Sequence, residues 1–213
     1  MNSEPLVTVI IPTLNRPELT LKALQSVKRQ SHSALEVIVV DNGSSLECVE
    51  EMTARGIVFE RCEVRGAGAA RKFGLRSSKG EFVLFLDSDD TLLPDAISKL
   101  LGALDSSRHG AYGLVSNKNV SALEVQNVDS GLKWPLASNT LLRRSVFEEF
   151  GEFFDDNYSF PEWMVRSLDS GLSLGFLNEL VAIRLIHGGN LSITDGSMPF
   201  FFHLIRSRLR ERK

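Results

Sequence analysis

Short apolar runs alternate with amphipathic stretches along the first half of the chain. Three runs have the length and the β-branched or aromatic content of strands, namely 6–11, 35–40 and 82–86. The stretches that follow them carry apolar side chains at helical spacing, over 17–30, 67–77 and 94–104. Because parallel strands need crossover connections, this alternation predicts an α/β fold with a mostly parallel, Rossmann-like central sheet and helices on both faces.

The second half of the chain has a less regular pattern. Helices are predicted over 160–168 and 200–212, and strands over 112–115, 174–177 and 180–186. No linker or low-complexity tract marks a boundary, and 213 residues suit one sizeable α/β domain. We therefore expect a single domain over 1–213.

Composition narrows the class of protein. Apolar residues at 43% and charged residues at 24% are typical of globular domains, and a net charge of −3 gives no general reason to bind nucleic acid. Cys48 and Cys62 lack metal-ligand spacing and are interpreted as small hydrophobic residues. The N-terminus lacks the features of a signal peptide, and no apolar segment reaches a membrane-spanning length, which predicts a cytoplasmic location.

Polar segments follow each of the three predicted parallel strands. They are 12–16, 41–44 and 87–90. In open α/β sheets, ligands bind beyond the carboxyl ends of the strands. We therefore expect these three segments to converge on one crevice.

Three carboxylates lie within four residues at the end of the third predicted strand. They belong to Asp87, Asp89 and Asp90. A hard divalent ion, Mg²⁺ or Mn²⁺, bound by one or two carboxylates together with substrate phosphates, suits this arrangement. The alternative is that Asp90, with Thr91, caps the helix that begins near Pro94, although capping explains one aspartate and not three.

Two further segments have a structural and a functional interpretation. Asp41 could accept a hydrogen bond from a base or ribose, or could make an Asx turn with Gly43. Residues 65–72 open a helix with glycines and carry three cations, which would suit a diphosphate at a helix N-terminus. This segment is not the dinucleotide fingerprint, because its third glycine is missing.

Four motifs follow one another between residues 12 and 94. After the first two strands come P-T-x-N-R at 12–16 and D-N-G-S at 41–44, and G-x-x-x-A-R-x-x-G-L at 66–75 and D-x-D-D-x-x-x-P at 87–94 come later. In order and spacing they closely resemble the family 2 glycosyltransferases of the GT-A fold. The chain departs from that family's pattern at Lys72, where asparagine is common.

The resemblance implies roles for most of these residues. Pro12, Thr13 and Asn15 would line the nucleobase pocket, and Asp41 would bond to the base. Arg71 would face the base or the phosphates. The acidic block would bind the ribose and the metal ion: Asp87 would contact either, Ser88 would belong to the nucleotide-sugar site, and Asp89 would ligate the metal.

The later segments resemble the family more loosely. Residues 141–147 and 151–153 are similar to the strand-helix-G-x-F segment before its E-D-W motif, whose aspartate is the general base. Glu162 aligns with that base, although it could simply be a first-turn acid after Pro161. His187 lies in a block similar to Y-R-x-H-x-x-S-x-S and would approach the metal or the diphosphate, whereas an isolated histidine is commonly a packed residue.

The resemblance therefore implies an inverting glycosyltransferase that moves a sugar from a nucleotide diphosphate donor, UDP-linked by preference, to an acceptor hydroxyl. Residues 1–109 would form the nucleotide-sugar half and 110–197 the acceptor half. The acceptor could be a glycan, a lipid-linked glycan, a peptide or a small molecule. Two alternatives stay open: a catalytically silent nucleotide-binding module, and a sugar-phosphate nucleotidyltransferase, whose G-x-G-T-R pattern residues 12–15 do not match.

The C-terminal segment 198–213 joins an aromatic apolar run to a basic end. That composition is typical of an interfacial helix, which would make a peripheral contact with the inner face of the membrane. The other interpretation is that the apolar residues dock on the domain while the arginines face water. Docking is favoured, because the last helix of a small α/β domain is needed to cover its sheet.

Overall fold

The computed structural model describes residues 4–119, 133–156 and 158–186 of the chain. The strands in these ranges are β1 (Val7–Thr13), β2 (Leu35–Asp41), β3 (Glu60–Arg61), β4 (Phe82–Phe85), β5 (Asp90–Leu92), β6 (Gly110–Asn119), β7 (Thr140–Arg143) and β8 (Leu174–Ile186). The helices are α1 (Pro17–Lys28), α2 (Leu46–Ala54), α3 (Ala67–Ser77), α4 (Ala96–Gly102), α5 (Val146–Glu149) and α6 (Ser159–Asp169), with a 3₁₀ turn at Ala137–Asn139.

One sheet contains all the described strands, in the order β3-β2-β1-β4-β7-β6-β8-β5. The first four are parallel to one another; the alternating pattern predicts β1, β2 and β4 and misses the two-residue β3. In the register, Thr13 lies beside Asp41, and Ile10 lies beside Phe85. The carboxyl ends of β1, β2 and β4 therefore meet at one edge of the sheet.

The second half of the chain extends the same sheet. β7 pairs antiparallel with β4 and with β6, and β8 lies parallel to β6. The two strands predicted at 174–177 and 180–186 form one continuous strand, β8. The pairing register between β6 and β8 shifts between Tyr112 and Val115, and this irregularity accommodates the extra residues of β8. β5 pairs antiparallel with β8, and the sequence pattern did not predict this strand.

Helices cover both faces of the sheet. Alternate residues of β1 point to opposite faces, so Val9 and Ile11 pack with α1, α2 and α4, whereas Ile10 packs with α3, α5 and α6. The second face has an aromatic core, in which Phe85 makes edge-to-face contacts with Phe147 and Phe153, 5.8 and 5.1 Å between ring centroids. This core fixes α6 against the end of β4.

The sequence pattern missed α2, whose described side chains are mostly exposed and leave little apolar periodicity. Ser45 caps this helix, since its hydroxyl accepts the N–H of Cys48 at 3.4 Å. Both cysteines are free thiols; Cys62 is buried and Cys48 is half-buried. Within the ranges given above, no helix combines the length and the apolar character that crossing a membrane requires.

Candidate functional site

The loops after β1 and β2 are joined through Asn15. Its backbone N–H donates to Ser44 Oγ at 2.8 Å, and its Oδ1 accepts the N–H of Ser45 at 2.8 Å. Asn15 has a φ of 54°, in the left-handed region that asparagine tolerates better than most residues. Two of the three predicted polar segments therefore lie against each other, and Asn15 is exposed between them.

Asp41, at the end of β2, is completely buried. Its Oδ1 accepts the N–H of Ser44 at 3.1 Å, so it does organise the turn through Gly43, whose φ is 90°. Arg61 NH1 lies 3.6 Å from Oδ2 and partly balances the charge of the carboxylate. The nucleotide-binding role of Asp41 stays a prediction, and the turn role is observed.

Pro12 and Thr13 end β1 at the same edge. The hydroxyl of Thr13 lies 2.6 Å from Thr20 Oγ1, and its backbone carbonyl accepts the N–H of Asn42 at 2.9 Å. Because Thr13 is buried, its side chain anchors the first turn of α1. Pro12 is only half-buried, so its ring is the more accessible surface beside Asn15.

The acidic segment after β4 is neutralised by two arginines. Arg71 NH2 lies 2.7 Å from Asp87 Oδ1, and Arg16 NH1 lies 2.6 Å from Asp89 Oδ2. The side chain of Asp87 is 40% exposed, whereas that of Asp89 is 9% exposed. Arg16 belongs to the loop after β1, so its ion pair brings the third polar segment to the first two, as expected.

Asp90 has a structural role that differs from the predicted one. It lies in β5, where its Oδ2 accepts the hydroxyl of Ser138 at 2.5 Å and its Oδ1 accepts the N–H of Leu185 at 3.3 Å. The capping interpretation is wrong, because α4 starts at Ala96 with Asp95 at its N-cap. Burial raises the pKa of the Asp90 carboxyl well above its usual range, and the charges of Asp87 and Asp89 raise it further.

Ser88 lies between the two ion-paired aspartates and is buried, with 5% of its surface exposed. Ser138 supports this segment from the other side, because its Oγ also accepts the backbone N–H of Asp87 at 3.2 Å. The hydroxyl of Ser138 thus contacts both ends of the acidic block. Ser138 was not identified from the sequence, since it lies 51 residues beyond Asp87.

The fit of the site to a divalent ion depends on the donors available. In the part of the chain that the structure describes, no three His, Cys, Asp or Glu side chains come together as a metal cage. Mg²⁺ and Mn²⁺ do not need such a cage when substrate phosphates complete the shell. Asp87 and Asp89 supply carboxylate oxygens, the donor type that such an ion prefers, and each of them is also bonded to an arginine. His187 lies outside the described residues.

The N-terminus of α3 is closed by protein groups. The N–H of Gly66 donates to Asn42 Oδ1 at 2.8 Å, and the N–H of Gly68 donates to the carbonyl of Asp156 at 2.8 Å. Two N–H groups at this helix end, those of Gly66 and Gly68, are therefore already bonded to protein acceptors and are not available to a diphosphate. Lys72 stands where the family pattern commonly has asparagine. It forms an ion pair with Asp155, which neighbours the Asp156 whose carbonyl accepts the N–H of Gly68.

Arg71 connects the acidic segment to α6. Its side chain is nearly buried, with NH1 donating to Ser159 Oγ at 2.9 Å and NH2 donating to Asp87. Its Nε is buried and has no acceptor among the described residues. Since the guanidinium cannot lose its charge, Arg71 holds a fixed cation between β4 and the first turn of α6.

Glu162 lies in that first turn of α6, one helical turn after Ser159. Its Oε1 accepts Arg166 Nε at 3.1 Å, and its Oε2 is buried without a hydrogen-bond partner in the described ranges. The next residue, Trp163, is buried, and its Nε1 donates to the carbonyl of Gly151 at 2.7 Å. Both interpretations of Glu162 are compatible with this position, but a first-turn acid alone does not account for an unpaired buried oxygen.

Sequence reasoning missed several residues that organise the site. Arg16 stood inside a quoted motif, yet its pairing with Asp89 depends on chain folding. Ser159 and Arg166 carry no motif signal, and only their helical spacing from Glu162, three positions before and four after, could have drawn attention to them.

The chain is similar to proteins of one family. Residues 8–157 match the family described as "Glycosyl transferase family 2". The succinoglycan biosynthesis protein ExoO of Rhizobium meliloti is 27% identical, over 94% of this chain and 61% of its own. A Campylobacter jejuni protein named as a GalNAc(5)-diNAcBac-PP-undecaprenol beta-1,3-glucosyltransferase is 36% identical, over 51% of this chain and 38% of its own. The chain thus spans less than two thirds of either relative.

Among solved structures, S. aureus TarS 1-349 in complex with UDP-GlcNAc is similar, with a TM-score of 0.66. It is 21% identical, and the match covers 95% of this chain and 65% of TarS 1-349. This likeness confirms the fold expected from the motifs, a GT-A-like α/β architecture. With the match over 8–157, the chain belongs to glycosyl transferase family 2.

Proposed function

We propose that this domain transfers a sugar from a nucleotide diphosphate donor, UDP-linked, to an acceptor hydroxyl with inversion at the anomeric carbon. The observation that supports the proposal is the chain of contacts from Asp87 through Arg71 to Ser159, which joins the acidic segment to the first turn of α6, the turn that contains Glu162. The TarS structure that shares this fold was solved with UDP-GlcNAc, which supports a nucleotide-sugar donor.

The donor would bind across the joined ends of β1 and β2. The exposed Asn15 and the half-buried Pro12 offer a polar and an apolar surface to a nucleobase, and Asp41 lies at the floor of the same turn. Thr13 would hold the edge on which the nucleobase lies, since its hydroxyl contacts Thr20 and its carbonyl accepts the N–H of Asn42. Ser88 would belong to the ribose side of the site.

The diphosphate would lie toward the acidic segment and its arginines. A divalent cation, Mn²⁺ or Mg²⁺, would be held by Asp89 and Asp87, and by His187 on the family resemblance, and would offset charge on the departing nucleoside diphosphate. Arg16 and Arg71 already counter the charge of the two carboxylates and supply cations next to the phosphates. Their role is electrostatic stabilisation of the leaving group.

Glu162 would remove the proton from the acceptor hydroxyl as that oxygen attacks the anomeric carbon. The sugar's bond to the diphosphate oxygen breaks in the same displacement, so the configuration inverts and no covalent intermediate forms. Oε2 is the oxygen left for this task, because Oε1 accepts the bond from Arg166 and Oε2 has no partner among the described residues.

The acceptor is proposed to be a glycan, and a lipid-linked one is the more specific candidate. The names of the Rhizobium and Campylobacter relatives refer to succinoglycan and to an undecaprenol-linked glycan. Peptide and small-molecule acceptors stay open alternatives. The basic segment 206–213 would suit a contact with the cytoplasmic face of a membrane that carries such a glycan.

The membrane contact can be tested by sedimentation with anionic liposomes at low and high salt. The full chain is compared with one lacking 206–213, which retains the aromatic run at 200–202. Salt-sensitive binding that disappears on truncation supports a peripheral contact, since such attraction is screened by salt. If neither form binds, the segment docks on the domain instead.

The central experiment follows UDP release from UDP-GlcNAc in the presence of Mn²⁺, with water as the acceptor. Glu162→Gln should lower the rate by roughly two to four orders of magnitude, the usual contribution of a general base. Glu51→Gln is the matched control, because Glu51 also pairs with an arginine four residues later but lies on the exposed face of α2.

The same assay separates the alternatives. UDP binding without release of UDP from the sugar donor would identify a silent nucleotide-binding module. Release of pyrophosphate from UTP and a sugar phosphate would identify a nucleotidyltransferase. Near-normal turnover by Glu162→Gln would remove Glu162 from the mechanism.

A further inference from the structure

We propose that Arg166 is a positioning residue that fixes the orientation of the Glu162 carboxylate. The inference rests on the proposed function of Glu162 as the general base. The inference adds a role for Arg166, which determines which carboxylate oxygen of Glu162 faces the acceptor hydroxyl. Arg166 lies four residues after Glu162, on the same side of α6.

All three guanidinium nitrogens of Arg166 have separate acceptors. Nε donates to Glu162 Oε1 at 3.1 Å, NH1 donates to the carbonyl of Phe150 at 2.7 Å, and NH2 donates to the carbonyl of Glu152 at 2.9 Å. The planar fork of arginine has a fixed geometry, so bonds to two backbone carbonyls set the direction of the third. The guanidinium is thereby held on the chain before α6.

The segment that holds Arg166 is itself packed. The guanidinium lies 5.3 Å from the ring centroid of Phe154, within cation–π range. Gly151 has a φ of 79°, and a Cβ there would come 3.3 Å from Arg166 NH1, so the backbone approaches the arginine closely. Trp163 Nε1 donates to the carbonyl of the same Gly151. Two side chains of α6 therefore bind segment 150–154.

The consequence concerns the two oxygens of Glu162. Because Arg166 holds Oε1, the carboxylate cannot turn freely about its last bond, and Oε2 keeps one direction. Oε2 is the oxygen that is buried and without a partner in the described part of the chain. A carboxylate oxygen with a fixed direction removes a proton faster than a mobile one, since small misplacements at a reacting centre lower the rate by large factors.

A second pair on the surface shows the difference between an ordinary helix ion pair and this one. Arg55 bonds to Glu51 at the same four-residue spacing, with NH2 2.6 Å from Oε1. Its guanidinium also bonds to the side chain of Glu18, and among the described residues it donates to no backbone carbonyl. Exposed pairs of this kind contribute little to stability.

The test is a double-mutant cycle on Glu162 and Arg166, measured as Mn²⁺-dependent UDP release from UDP-GlcNAc. Arg166→Lys keeps the positive charge but cannot make the three directed bonds. It should lower kcat by roughly 10- to 100-fold, with the KM for UDP-GlcNAc changed by less than about twofold. In the Glu162→Gln background, the same substitution should change kcat by less than about threefold, because the group it orients is already gone.

Arg55→Lys is the control and should leave kcat unchanged, and thermal unfolding of each variant reports any loss of stability. Equal losses of kcat from Arg166→Lys in both backgrounds would overturn the positioning role and leave a general packing role. A normal kcat in Arg166→Lys would also overturn it while leaving Glu162 as base. If Glu162→Gln is itself fully active, the proposed base fails, and the positioning role fails with it.

Discussion

Asp87, Asp89 and Asp90 lie within four residues and have three different environments. Asp87 is exposed enough to meet a ligand while it pairs with Arg71, and Asp89 is nearly buried against Arg16. Asp90 is fully enclosed and bonded to Ser138. The sequence predicted a charge cluster at a strand end, and that part was right. It could not assign the separate roles, because each role depends on a partner from 16 to 73 residues away.

Substitution of Asp89 tests the proposed metal site. Asp89→Asn should reduce Mn²⁺-stimulated UDP release by on the order of 100-fold, since the ligand charge is lost while the shape is kept and a metal's charge stabilisation amounts to several kcal/mol. Rates are measured over a Mn²⁺ titration. Asp105→Asn serves as control, because Asp105 is an exposed aspartate that bonds within its own turn. Unchanged metal stimulation in Asp89→Asn would exclude Asp89 as a ligand.

At the scale of elements, α3 and the loop before α6 are packed backbone against backbone. The bounds of α3 agree with the sequence prediction, since helical spacing and the glycine-rich start are local signals. The closure of the N-terminus of α3 cannot be predicted from local sequence. It depends on the carbonyls of Phe154, Asp155 and Asp156, which approach Gly66 and Gly68 so closely that a Cβ would lie 2.1 Å or less from an oxygen.

Substitution of Gly68 tests this closure. In Gly68→Ala, the new Cβ would lie 1.7 Å from the carbonyl oxygen of Phe154, so the loop must move. The free energy of unfolding should fall by about 1–3 kcal/mol or more, the range for overpacking. Gly102→Ala is the matched control, because Gly102 is also helical but has open space at the Cβ position, and it should be neutral or slightly stabilising. Both are measured by urea unfolding.

The displaced loop also carries Phe150 to Phe154, which hold Arg166. Gly68→Ala is therefore expected to lower UDP release as well as stability, whereas Gly102→Ala should leave both unchanged. A Gly68→Ala protein as stable as the wild type would mean that the loop moves away from α3 at no cost, which would contradict the closure.

At the scale of the whole molecule, the sheet joins two halves that the sequence predicted with unequal success. Most of the parallel half follows from apolar runs and turn residues, because β1, β4 and the second half of β2 are buried on both faces and their sequences are nearly continuous apolar runs. The second half depends on pairings such as β5 with β8, between residues separated by about ninety positions. The three residues Asp90 to Leu92 are too few to form a pattern that predicts pairing with β8. The sequence analysis missed β5 for that reason.

Asp90 links these halves, and its substitution tests how far they unfold as one. Asp90→Ala would leave the hydroxyl of Ser138 and the N–H of Leu185 without the acceptor they have now. Buried groups left unpaired cost about 1–3 kcal/mol each, so the free energy of unfolding should fall by about 2 kcal/mol or more. In Asp90→Asn, the amide can accept from Leu185 and donate to the rotatable hydroxyl of Ser138, and the loss should stay within about 1 kcal/mol.

Urea unfolding, followed by two probes, measures the stability of both Asp90 variants and shows whether the two halves unfold together. Trp134 and Trp163 are the two tryptophans of the chain and lie in its second half, so fluorescence reports that half, whereas far-UV circular dichroism reports both. In the wild type, the two transitions should coincide, because one sheet and its two cores run through both halves. Equal stability of the Ala and Asn variants would show that Asp90 contributes nothing as an acceptor. A fluorescence transition that precedes the dichroism transition only in Asp90→Ala would instead identify Asp90 as the residue that makes the two halves unfold together.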